Sequence, residues 1–219
     1  MADILTLFPD DGLETLRSHL VYTKVRLAQR EATRPFVAAH DELLGRWSAL
    51  HAGQLAAWDA EDEADARVAA ADDELDDRTN ELHADLLRTF GKEHPTYQRY
   101  MGGDSRSALV RMGLATQLDR IEGWPASLRS LGGALPAHAD PLQQLVTDGR
   151  AALAARVAAA SARADHRVGA YLAYVEDVNA VRRSTYGALV QYAADHQLPS
   201  DWARRFFRKQ RRRPKPRPE

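Results

Sequence analysis

Two stretches without proline set what this chain can fold into. Prolines stand at positions 9, 35, 95, 125, 136, 141, 199, 214, 216 and 218, leaving residues 36–94 and 142–198 free of them. Proline lacks the backbone donor and clashes with the preceding turn, so a helix of many turns is open only to such stretches. Both carry helical spacing. In the first, Phe36, His40, Leu43, Trp47, Leu50, Gln54 and Trp58, then Ala64, Val68, Leu75, Leu82, Leu86 and Phe90, recur mostly at intervals of three, four or seven. In the second, Leu142, Leu145, Gly149, Leu153, Val157, Ala160, Ala164, Val168, Leu172, Val175, Val178, Tyr186, Leu189 and Ala193 do the same. Such spacing lines one face of a helix. It predicts long helices at about 36–91 and 141–196, each on the order of 80 Å at 1.5 Å per residue. If a turn is hidden in the first, Gly53 or the acidic run at 59–65 is the place for it.

Composition points the same way. Val, Ile and Thr together make 24 of 219 residues, too few for a sandwich or barrel, whose strands want β-branched side chains. Alanine, with 38 residues, and arginine, with 26, are strong helix formers. The expected fold is all-α: an elongated antiparallel bundle with the two long helices and two shorter ones, with the heptad-like spacing of a coiled coil. One short helix covers about 11–33, with Asp10 and Asp11 as candidate N-caps. Thr33 and Pro35 would then open the long helix that follows. The other short helix includes Leu109, Met112, Leu118 and Ile121 and is restarted at Pro125. Residues 132–141, with two Gly and two Pro, form an interior loop.

The halves resemble each other. Each has a shorter helix, a proline, a long helix, and then a proline followed by an aromatic and basic segment: Pro95-Thr96-Tyr97-Gln98-Arg99-Tyr100-Met101 in one, Pro199-Ser200-Asp201-Trp202-Ala203-Arg204-Arg205-Phe206-Phe207 in the other. An internal duplication with halves 10–103 and 104–203 accounts for this. Both aromatic segments are expected to plug a bundle end.

The net charge of −1 is a cancellation. Residues 204–219 hold nine bases and one acid (+8), while residues 1–203 hold 21 bases and 30 acids (−9). The chain therefore reads as a helical bundle over 1–203 with a basic Arg/Pro-rich tail over 204–219. Arg204, Arg205, Arg208, Lys209, Arg211, Arg212, Arg213, Lys215 and Arg217 are the candidate contacts to an anion or nucleic acid. Ser200 and Asp201 can cap a short helix through about Arg213, which Pro214, Pro216 and Pro218 end. Cations in such number neutralise phosphates and release counterions without reading sequence. An acidic protein face or an anionic membrane surface would attract them too.

Other chemistry finds no motif. Without cysteine there is no disulfide, thiolate zinc site or cysteine nucleophile. No carboxylate stands three residues before any of the eight histidines, so the Glu-x-x-His pair of a di-iron bundle is missing. No phosphate-binding glycine loop or nucleophile elbow occurs. No cofactor or metal is expected. Residues 59–77 hold ten acids and one base. They lack the alternating ligands and turning glycine of a Ca²⁺ loop, and read as a solvated helix face or as a dock for the basic tail. Residues 151–164, with nine alanines, read as a close-packing surface. Asn179 is expected to set helix register or to be exposed.

The N-terminus has no basic n-region and no window reaches 18 apolar residues, so a cytoplasmic protein without a spanning helix is expected. The excess of Arg over Lys matches a GC-rich bacterial genome. The leading functional expectation is a non-enzymatic interaction or scaffold protein, engaging a protein partner or a second copy of itself, with the tail on an anionic partner. The alternatives are a nonspecific nucleic-acid-associated protein, and an enzyme or small-molecule carrier with its site inside the bundle.

Overall fold

The computed structural model describes residues 6–102 and 106–209. The fold is an all-α helical bundle with no strand among the described residues. Its α-helices are α1 (Leu13–Ala28), α2 (Val37–Phe90), α3 (Pro95–Met101), α4 (Arg106–Val110), α5 (Leu114–Ile121), α6 (Trp124–Leu128), α7 (Ala139–Asp165) and α8 (Leu172–Asp195). A π-helical turn, His166–Tyr171, carries the chain from α7 into α8. The second short helix of the sequence reading is thus three helices, α4 to α6.

The anticipated turn in α2 does not occur. Gly53 lies inside the helix, and its missing side chain serves close packing: a Cβ there would come within 2.8 Å of the His166 ring. The acidic run at 59–65 is helical as well. Buried and half-buried positions along α2 step by four and three through His40, Leu43, Trp47, Leu50, Gln54, Ala57, Glu61, Ala64 and Val68. That phase takes Ala57 inward and leaves Trp58 42% exposed, although Trp58 is the larger apolar residue. In the second stripe Val157 and Val168 are 68% and 66% exposed. The π turn at 166–171 shifts the helical register, and the seam continues instead through Tyr174, Val175 and Val178.

Asp10 and Asp11 do not cap α1. They belong to a 3₁₀ turn, Pro9–Asp11, in which the Asp11 carboxylate accepts the Phe8 N–H at 2.7 Å. Gly12 precedes the helix. Thr33 closes α1 rather than opening α2. Its buried hydroxyl donates to the carbonyls of Leu27 (2.5 Å) and Arg30 (3.1 Å), satisfying acceptors that a helix end leaves open. Pro35 sits in the 3₁₀ segment Glu31–Phe36 that joins the two helices.

The chain forms two compact units. The first takes the chain up to Ala56 and from Ala164 on, and the second is Ala57–Arg163. Each unit therefore draws on both sequence halves. The second is built on Leu75, Leu82 and Leu86 of α2, with Tyr97, Tyr100 and Met101 of α3, Leu114, Leu118 and Ile121 of α5, and Leu142 and Val146 of α7. Gly149 lets α7 approach α5, since a Cβ there would meet Leu118 at 2.9 Å. Tyr100 donates or accepts a 2.6 Å hydrogen bond with Ser127, and His138 Nε2–H donates to Asp85 at 2.8 Å.

The first unit has two apolar clusters. One joins Leu7, Leu13, Leu16, Leu20, Leu43, Leu50, Tyr174, Val175 and Val178. The other joins Leu27, Leu189, Ala193, Trp202, Ala203, Phe206 and Phe207. Hydrogen bonds tie the helices: Trp47 Nε1–H donates to the Leu13 carbonyl (2.9 Å) and Tyr174 to that of Leu43 (3.0 Å). Asn179 is buried, not exposed. Its amide accepts the Leu7 N–H and donates to the Leu7 carbonyl, both at 2.8 Å, so it clamps the segment before α1 as an added strand would.

Candidate functional site

The cationic segment is reached through the aromatic plug at the end of the first unit. Trp202, Ala203, Phe206 and Phe207 are all buried, while Arg204, Arg205, Arg208 and Lys209 are exposed. The 3₁₀ turn Ala203–Phe206 produces this sorting. Trp202 meets Phe206 edge-on at 4.8 Å and stacks on Tyr192 at 5.5 Å, the geometries aromatic pairs prefer. The guanidinium of Arg30 lies 5.7 Å over the Trp202 ring.

The expected helix over 200–213 is not what forms. Only the 3₁₀ turn is present, and Phe207 is extended (φ −108°, ψ 138°). Two adjacent phenylalanines must both be buried, and one helix would turn them about 100° apart. Extending the chain at the second lets both enter the core. Asp201, expected as a cap, is held instead by Arg205, whose Nη2 donates to Oδ1 at 2.9 Å and Nε to Oδ2 at 3.2 Å. That fork keeps the Asp201 carboxyl below the usual carboxylate range. The Arg205 carbonyl accepts from Arg26 Nε at 3.3 Å, and Arg208 donates to the Ser18 hydroxyl. Four of the nine predicted cations are thus brought to one face. Arg211, Arg212, Arg213, Lys215 and Arg217 lie outside the described residues.

Behind the plug is a polar layer that the sequence reading missed. Along α1, His19 and Thr23 stand between Leu16 of one apolar cluster and Leu27 of the other. Along α2, His40 stands between Val37 and Leu43. Along α8, Arg182 and Thr185 stand between Val178 and Leu189. All five polar side chains are buried, and Arg182 is fully so. Its guanidinium lies 5.3 Å from the Phe207 ring, so the buried charge rests on the face of a plug residue. Arg182 was visible in the sequence only as a gap in the stripe between Val178 and Tyr186.

Both histidines are held neutral. Burial pushes His19 down to about 4, helped by the positive charges of Arg182 and Arg208 and opposed by Asp11. Burial also lowers His40, whose Nδ1–H donates to the Phe36 carbonyl at 3.0 Å. That bond raises its pKa, while Arg182 lowers it and Asp41 raises it. One positive charge, that of Arg182, therefore stays in the layer at neutral pH. His19 and Arg208 feel each other, so the layer and the start of the tail share one electrostatic environment.

No family model, curated protein or solved structure matches this chain. Among the described residues, no group of three or more His, Asp or Glu side chains could hold a metal ion. No helix among them is long and apolar enough to cross a membrane.

Proposed function

We propose that this protein is a non-enzymatic helical interaction protein whose C-terminal cations engage a polyanionic partner. The observation that carries the reading is the sorting of residues 202–209. Every aromatic side chain turns into the core, and all four cations turn out. Such an anchor fixes where the tail begins, so that five further cations leave from one point on the bundle. Less orientational freedom is then lost on binding than for a tail without a root. Nucleic acid is the favoured partner, because a dense row of Arg recognises phosphate without reading bases. The aromatics are occupied in the core, so base stacking plays no part in the contact.

A second reading rests on the acidic segment of α2. Ten acids against one base at 59–77 make an acceptor for the same tail on another copy of the chain. One pair of measurements separates the two. Fluorescence anisotropy of a labelled oligonucleotide at low salt is expected to show binding by the full chain and none by a chain ending at Phe207. Sedimentation of the protein alone is expected to show one mass at all salt concentrations. A mass that doubles at low salt and reverts on truncation supports self-docking instead. Undiminished oligonucleotide binding by the truncated chain removes the tail from the account.

A further inference from the structure

Within the second unit, the acidic run holds two carboxylates that do not behave as a solvated face. Asp72, Asp76 and Thr79 step along α2 by four and then three residues, so they share one side of the helix. Gln117 of α5 faces them: its Nε2 donates to Asp76 Oδ1 at 2.9 Å. Gln117 and Thr79 are both fully buried. Three oxygens in this group have no hydrogen-bond partner among the described residues: Asp72 Oδ1, Thr79 Oγ1 and Gln117 Oε1. Because the Gln117 amide is fixed by donating to Asp76, its oxygen is set beside the carboxylate it serves. Buried acceptors left unpaired are costly, and four oxygens collected in one place without a donor need a positive group.

From this geometry we infer that Asp72, Asp76, Thr79 and Gln117 form a binding site for a hard divalent cation, Ca²⁺ or Mg²⁺. The donor set decides the class. It is all oxygen, two anionic and two neutral, with no imidazole or thiolate to favour a transition metal. Side chains at i and i+4 have Cβ atoms about 5–6 Å apart, which suits two carboxylates converging on one ion at about 2.0–2.6 Å. Water completes the shell on the half-exposed side of the aspartates. Two further observations agree. Burial first, and neighbouring carboxylates after it, hold both Asp72 and Asp76 above the usual carboxylate range, and no cationic side chain contributes to either. The site also explains why Gln117 is a buried amide among Leu114, Leu118 and Ile121. It is not a Ca²⁺ loop: its ligands come from helix faces, so the chain needs no turning glycine.

The test uses the full chain and the metal alone. Thermal unfolding is followed in about 5 mM CaCl₂, in MgCl₂, and in NaCl of equal ionic strength, with calorimetric titration of each divalent ion. At least one divalent ion is expected to raise Tm above the NaCl value, with a Kd of about 10⁻⁴–10⁻³ M for so few charged ligands. Asp72→Asn and Asp76→Asn are expected to weaken binding at least tenfold. Asp76→Asn retains an acceptor for Gln117 and so spares the packing. Asp73→Asn, at an exposed neighbour, removes the same charge and is expected to change little. Gln117→Glu is expected to lower Tm without divalent ions and to tighten binding with them. A larger response to Mg²⁺ assigns a hydrated octahedral site, and one to Ca²⁺ a wider site. The inference is overturned if neither ion exceeds NaCl, or if Asp73→Asn reduces the response as much as Asp76→Asn does. The first outcome means a shared proton or water at the site, and the second a diffuse ion atmosphere.

Discussion

Replacing His19 by Gln should flatten part of the acid limb of stability. The pKa of His19 falls from 6.5 to about 4 in the folded protein. The sign follows from counting protons. Above pH 6.5 the imidazole is neutral in both states and contributes no pH dependence. As pH drops below 6.5, the unfolded chain takes up a proton that the folded chain refuses, so stability falls. Below about pH 4 both states carry the proton and the contribution is constant. The gap of about 2.5 in pKa, at 1.36 kcal/mol each, makes the full loss about 3 kcal/mol. His40, also lowered, adds to it in the same direction. Urea unfolding between pH 8 and 4 measures the difference between wild type and His19→Gln, in which the carboxylates common to both cancel. Trp58 and Trp124 replaced by Phe leave Trp47 and Trp202 to report on the first unit. The difference is expected to narrow by about 3 kcal/mol from pH 7 to pH 4. A difference that stays constant within about 0.5 kcal/mol means that the histidine is not held neutral, and refutes the account of the polar layer.

Three further substitutions have defined outcomes. Phe207→Ala removes a buried ring and the face on which Arg182 rests, and should cost about 3–5 kcal/mol by urea unfolding. Asn179→Ala strands the Leu7 N–H and carbonyl; a loss of about 2 kcal/mol is expected, with faster hydrogen exchange at Leu7. Gly149→Ala places a Cβ 2.9 Å from Leu118, an overpacking that should destabilise the second unit by about 1–3 kcal/mol in the same assay.

The helical class was legible because proline-free stretches and three-or-four spacing survive any detail of packing. Phase was harder. Trp58 outranks Ala57 in hydrophobicity, yet a seam that steps by four and three through Glu61 and Ala64 needs the small residue inside. The π turn at 166–171 has no signature, and it moves Val168 out of a stripe that spacing alone places it in. The plug residues Trp202, Phe206 and Phe207 could be read as core. The extended bend that buries two adjacent rings could not, because Ser200 and Asp201 look like a helix start. The polar layer was hidden for a related reason. His19, Thr23 and Arg182 occupy core positions, and a periodicity reading passes over polar residues there as gaps. Asp72 and Asp76 were masked by their neighbours, since ten acids in one segment look uniformly solvated until α5 is seen to cover two of them.

The central claim, that cations rooted by the aromatic plug meet a polyanion, is tested most directly by the salt dependence of oligonucleotide binding. A chain ending at Phe207 loses seven of the nine bases after residue 203: Arg208, Lys209, Arg211, Arg212, Arg213, Lys215 and Arg217. On duplex DNA each phosphate neutralised contributes about 0.9 to the slope of log K against log salt. The full chain is therefore expected to show a slope steeper than that of the truncated chain by up to about 6. Equal slopes for the two chains would contradict the account.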